Sequence, residues 1–161
     1  QLLHAEGACA GWGLSVLLYD ASDGDNTIYK APARRMLQEG AVVLLMPVRL
    51  GMHTIDPSYM PKVSPILGIP QSLGFVGGHP NSAHYFVATQ GSQALYLDPH
   101  AARPAVSLAA CPTQPLHASW HCGRVSSMAL QDVDGSVAFG FYCADEGELD
   151  ALCQGLQQLA A

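Results

Sequence analysis

The sequence predicts a single domain of α+β or mixed α/β class, with several strands and short helices between them. Strand-like apolar runs recur along the chain, short helical patterns interleave with them, and no internal repeat or low-complexity linker intervenes. The 161 residues are enough to bury one core. "LSVLLYDA" (14–21) reads as a buried strand and "SDGDN" as the turn after it. "APARRMLQEG" has proline near its start and Gly40 just past its end, the asymmetry of a short helix. "AVVLLMPVRLG" (41–51) is a continuous apolar run, expected as a strand buried on both faces. "DPSYMPKVSPILGIP" is broken by prolines and predicts a loop with a short helix around 57–67. Gly77, Gly78 and Pro80 predict an irregular loop, and "HYFVATQ" with "QALYLD" a hairpin across Gly91. "CPTQPLHASWHCG" predicts a loop, "VSSMAL" a short helix or turn, and "DGSVAFGFYCA" another strand. In "EGELDALCQGLQQLAA" Leu149, Leu152, Leu156 and Leu159 recur at three-and-four spacing, the core-facing stripe of an amphipathic helix.

Composition removes several function classes. Charged residues are 12%, against ~25% in an average soluble protein. So low a share leaves apolar surface that a partner or a further part of the fold would cover. The net charge is -6 and the few bases are dispersed, so no basic stripe exists to hold nucleic acid. Five cysteines at irregular spacing, with no C-x-x-C, fit reduced thiols in a cytosolic protein. The longest apolar run, "AVVLLMPV", is too short to span a bilayer. The chain starts at Gln1 without a leader pattern, which suggests a processed or incomplete product. Residues 1–161 are therefore expected to form one incomplete domain.

The stretch richest in chemistry is "ALYLDPH" (94–100), an apolar strand ending in Asp98-Pro99-His100. Residues two apart in extended chain share a face, with alpha carbons about 6.5 Å apart. Pro99 fixes its own φ and biases Asp98 toward extended backbone. Asp98 is thus placed to accept from a ring N–H of His100, leaving the other nitrogen as a base. The same tripeptide also suits an ordinary strand end and turn, and both readings bring the two side chains together.

The surroundings add to the tripeptide. "PQSLGFVGGHPNSAHYFVATQGSQALYLDPH", with "MPVRLG" before it and "WHC" and "DGSVAFGFYC" after it, resembles the autophagins, the cysteine proteases called autophagy-related protein 4. The resemblance runs from about residue 14 to the end. It implies a papain-like fold, with the acid and base of the family's "DPH" motif on Asp98 and His100 and a cysteine as nucleophile. It implies a protein partner, a ubiquitin-like autophagy modifier, cut after a glycine near its C-terminus and later released from phosphatidylethanolamine. Contact with membrane would then be peripheral and through substrate, the location cytoplasmic, and no cofactor is needed. By the same resemblance Gly78, His79, Pro80, Asn81 and Ser82 form a substrate-binding loop over the groove. Glycine hinges and a stiff proline tip suit a moving lid, and Pro80 is expected to touch the substrate tail. A rigid hairpin approach is the competing reading of the same glycines.

This chain departs from the family at the nucleophile. The family's Gly-Trp-Gly-Cys-Met-Leu-Arg segment opens a helix well upstream of "DPH". Here Gly11-Trp12-Gly13 runs into Leu14-Ser15-Val16, too close to Asp98 and with no Met-Leu-Arg after it. Trp12 reads as a packing residue. Cys9, Cys111, Cys122, Cys143 and Cys153 each lack the context of a nucleophile. The chain alone is therefore expected to be inactive, with an apolar face left bare that aggregates or binds hydrophobic dye. The alternative is a catalytically dead protein that binds the modifier without cutting it. By the resemblance some members carry a modifier-binding tail, an aromatic residue followed two positions later by a bulky aliphatic; "LQQLAA" shows no such pattern, so any affinity for the modifier is expected from the groove face.

Other constellations are weaker. The Gly77–Ser82 loop lacks the lysine and helix of a phosphate loop. His117, His121 and Cys122, with Cys111 upstream, have spacing that could suit zinc, but no second clean ligand pair is visible, so no metal is expected. His84 reads as a packed or edge histidine.

Overall fold

The computed structural model describes residues 13–19, 28–79, 81–100 and 122–160. They form β1 (Leu14–Leu18), α1 (Lys30–Leu37), β2 (Ala41–Thr54), α2 (Met60–Leu67), β3 (Ser72–His79), β4 (Ser82–Gln90) and β5 (Gln93–Leu97). After the segment 101–121 come β6 (Ser126–Ala129), a 3-10 turn (Leu130–Asp132), β7 (Asp134–Cys143) and α3 (Glu146–Ala160). The strands make one sheet in the order β1-β2-β7-β3-β4-β5-β6. Only the β1–β2 pair is parallel. The α+β expectation holds.

Period-two alternation fixes which side chains face the helices. Cross-strand pairs Val42–Cys143 and Leu44–Phe141 join β2 to β7, and Phe75 pairs with Phe139 on β7 and with Phe86 on β4. These residues are buried together with Val63 and Ile69 from the α2 region and Leu149, Leu152 and Cys153 from α3. The Phe75 and Phe86 rings stack at 4.6 Å between centroids and anchor the half of the sheet that carries β4 and β5. The stripe expected on α3 is present, with Leu149 and Leu152 fully buried and Leu156 and Leu159 packed at its border.

The start of α3 is capped by its own sequence. Glu148 N–H donates to Asp145 Oδ1 at 2.9 Å, and Ala144 N–H donates to Glu148 Oε2 at 2.7 Å, a reciprocal capping arrangement. Lys30 and Arg34 of α1 both reach Asp150 of α3, at 2.6 and 3.1 Å.

Three local expectations are corrected. Gly77 and Gly78 lie inside β3, paired with His84 and Ala83, and not in a loop. Gly78 has φ of 141° and a side chain there would overlap the Ser82 carbonyl, so glycine permits the strands to close. "VSSMAL" gives a strand and a 3-10 turn, because Ser126–Ala129 pairs with the free edge of β5. β2 is buried on one face: Val42 and Leu44 are covered, Val43 and Leu45 are half-buried and Pro47 is exposed. No described helix packs against that second face.

Candidate active site

The β4–β5 hairpin builds the site. Gln90 pairs with Gln93, so the connection is the two residues Gly91 and Ser92, and Gly91 takes the positive φ of 60°. A bulge between Phe86 and Ala88 shifts the register, so that the last pair toward the site is Tyr85–Leu97. One position further brings His84 alongside Asp98.

Asp98 Oδ1 accepts two hydrogen bonds from His100, from its backbone N–H at 2.9 Å and from ring Nδ1 at 2.7 Å. A strand-end turn and an acid–base pair would use these same contacts, so the contacts do not choose between the two readings of the tripeptide. Both donors hold the Asp98 carboxyl below the usual carboxylate range, the backbone N–H most strongly and the ring next, against a small opposing effect of burial. With Nδ1 committed to Asp98, Nε2 of His100 is the nitrogen available as a base, on a side chain that is 51% exposed.

His84 is the residue that sequence reading undervalued. It is 7% exposed, stacks on Tyr96 at 4.3 Å and crosses His100 edge to face at 5.6 Å. The signal was available in the predicted hairpin: its register, with a bulge of one residue, sets position 84 beside 98. One ligand atom from each of His84, Asp98 and His100 lies within 4.8 Å of the others. Two ligands of a tetrahedral zinc sit about 3.4 Å apart. The His100–Asp98 spacing of 2.7 Å is shorter than that and is the distance of a hydrogen bond.

The residues expected over the groove occupy the β3–β4 hairpin. His79 pairs with Ser82 at its tip, Asn81 takes a positive φ of 66°, and Pro80 lies outside the described residues. Gly78 is buried in the strand, while His79 and Asn81 are exposed. Ser82 Oγ is 3.5 Å from His84 Nε2, which puts the hairpin tip one imidazole away from Asp98.

No described cysteine has the setting of a nucleophile. Cys143 is fully buried and its thiol is pushed up to about 11, chiefly by burial. Cys153 is buried on α3 and raised for the same reason. Cys122 is exposed and donates to the Arg124 carbonyl at 2.6 Å. Cys9, Cys111, Trp12, His117 and His121 lie outside the described residues.

Comparison with known proteins gives the family. Residues 3–155 match the family model of the peptidase C54 catalytic domain. Over 118 residues the chain is 40% identical to cysteine protease ATG4A of Oryza sativa subsp. japonica, covering 73% of this chain and 25% of that protein. Over 120 residues it is 38% identical to cysteine protease ATG4B of Gallus gallus, covering 74% of this chain and 30% of that protein. The chain thus spans between a quarter and a third of these relatives' length. A seven-stranded mixed sheet with helices on one face, an Asp-Pro-His pair at its rim and this match establish that the chain belongs to the peptidase C54 family, the autophagins, and has their papain-like α+β fold.

Proposed function

We propose that this chain supplies the orienting acid and general base of a thiol protease that processes a ubiquitin-like autophagy modifier. Asp98 holds His100 by Nδ1, and His100 Nε2 withdraws the proton from a cysteine thiol. The thiolate attacks the carbonyl of the modifier's C-terminal glycine, the imidazolium protonates the departing amine, and water, its proton taken by the imidazole, then hydrolyses the thioester to free the glycine carboxylate and the thiol. The leaving group is the amine of a peptide or of phosphatidylethanolamine, so one arrangement serves both maturation and delipidation. The observation that carries the reading is the peptidase C54 match over residues 3–155 with His100 hydrogen-bonded to Asp98 Oδ1 within it, at 2.9 and 2.7 Å.

The nucleophile belongs to a Gly-Trp-Gly-Cys segment outside this sequence, and residues 1–161 alone do not turn over substrate. In this reading the chain forms one wall of the substrate groove, with Gly78, His79, Pro80, Asn81 and Ser82 at its lip. The working place is the cytoplasm, and membrane is approached only through the lipidated substrate.

The test joins residues 1–161 behind the part of the rice relative that precedes the matched segment. The joined protein is expected to release the modifier ending in glycine, read by mass, while the isolated chain leaves it uncut. Cleavage by the isolated chain would contradict the assignment. The alternative, a binder that does not cut, gains support if the joined protein holds the modifier stoichiometrically without cleaving it.

A further inference from the structure

The group the proposed mechanism leaves unused is His84. Its side chain is 9% exposed and Nδ1 lies 3.8 Å from Asp98 Oδ1. That nitrogen is buried with no hydrogen-bond partner among the described residues. The ring has little freedom to turn elsewhere. Tyr96 stacks on it at 4.3 Å with planes 25° apart, and Phe86 meets it edge-on at 6.4 Å.

The two tautomers of His84 are not equivalent here. With the proton on Nε2, a bare Nδ1 lone pair would face the Asp98 carboxylate, acceptor against acceptor. With the proton on Nδ1, an N–H faces the carboxylate and the Nε2 lone pair faces the Ser82 hydroxyl at 3.5 Å. Only the second gives each polar atom a complementary neighbour.

We infer that His84 is a positioning residue of the dyad: its Nδ1–H is the second side-chain donor to Asp98, and the Ser82 hydroxyl sets the tautomer that makes it so. Shortening 3.8 Å to an ordinary contact of about 2.9 Å needs a shift of under ~1 Å. Asp98, with half of its side chain exposed, is the partner free to make it. The carboxylate then sits between two imidazoles whose planes cross at 86°, and is held from β4 as well as from its own turn. His100 and His84 are the titratable groups that act on Asp98. The chain Ser82–His84–Asp98–His100 also links the tip of the β3–β4 hairpin to the base. Displacement of that tip by a substrate would be felt at Asp98 without any direct contact.

The inference deepens the reading of Asp98 and His100 as a working pair and rests on it. Its test reads tautomers and carboxyl titration in the 161-residue chain, which need no cleavage, so the two readings fail separately. Nitrogen-15 spectra of the histidine-labelled chain are expected to show His84 protonated at Nδ1 and bare at Nε2; a ring protonated at Nε2 overturns the inference. His84→Phe keeps the stacking and removes the donor, and is expected to raise the Asp98 carboxyl midpoint by ~0.5–1 pH units. His84→Asn returns an N–H near the Nδ1 position and is expected to restore the midpoint to within ~0.2 units. A folded His84→Phe with an unchanged midpoint would mean that His84 only packs. Should that variant fail to fold, the tautomer of the unaltered chain and its loss of definition in Ser82→Ala still decide.

Discussion

The two faces of the sheet carry similar side chains and meet different fates. On the inner face Phe75, Phe86, Phe141 and Leu44 are at most 1% exposed, sealed by the helices. On the outer face Leu73, Val76, Val87 and Tyr142 are between 37 and 49% exposed. Cross-strand pairing lines up Pro47, Ala138, Val76, Tyr85 and Leu97 as an apolar row running over β2, β7, β3, β4 and β5. Strands that are apolar on both sides are written for a sheet covered on both sides. One half of that cover is supplied by the described residues, and the dyad stands at the rim of the covered side, where His84 lies two positions before Phe86 and stacks on Tyr96. The difference explains how a chain with 12% charge can have a well-packed core and still show a greasy surface.

The contrast is sharpest in stability. Phe86→Ala on the inner face is expected to cost about 3–5 kcal/mol, because the ring is fully buried against Phe75 and leaves a cavity. Val76→Ala on the outer face should cost less than about 1 kcal/mol. Urea unfolding of both variants measures the gap, and equal losses would erase the distinction between the faces.

Dye binding reads the outer face directly. The chain should enhance the fluorescence of a hydrophobic dye at neutral pH, and replacing Val76 and Tyr142 together with threonine should remove roughly half of that signal without shifting the unfolding midpoint. A signal that instead tracks core variants would place the dye in an opened interior.

A smaller effect distinguishes the dyad from both faces. The Asp98 carboxyl is depressed in the folded chain, so its contribution is fully present above the unfolded value of about 4 and is lost as pH falls through the folded value. The stability difference between the native chain and Asp98→Asn should therefore stay flat from neutral pH to about pH 5 and vanish in stronger acid. A difference that grew on acidification would reverse the sign of the pairing. The smallest effect belongs to the exposed Lys30–Asp150–Arg34 cluster, where Asp150→Asn should give a marginal loss that disappears in high salt.

Sequence patterning carried most of the fold because its signals are local. The Leu149/Leu152 stripe, the two-residue turn at Gly91 and the alternation in β4 each belong to one element or one hairpin. The misread segments depend on partners distant in sequence. Gly77 and Gly78 look like loop residues until β4 pairs against them, and "SSMA" becomes a strand only because β5 offers an edge. The site divides the same way. Asp98 and His100 were legible through the stiff proline between them, whereas His84 comes from another strand, and a bulge at Val87 sets its register. Covering of β2 on both faces was expected from its continuous apolar run, and on the second face Val43 and Leu45 reach only half-burial.

The account turns on whether His100 serves a sulfur that is brought to it. The most direct measurement is modifier cleavage by the joined protein with His100→Ala, at an enzyme level where the unaltered version runs to completion. Loss of at least ~10²-fold in rate is expected, the scale of removing a positioned general base. Undiminished proteolysis by the alanine variant would contradict the role given to Asp98 and His100.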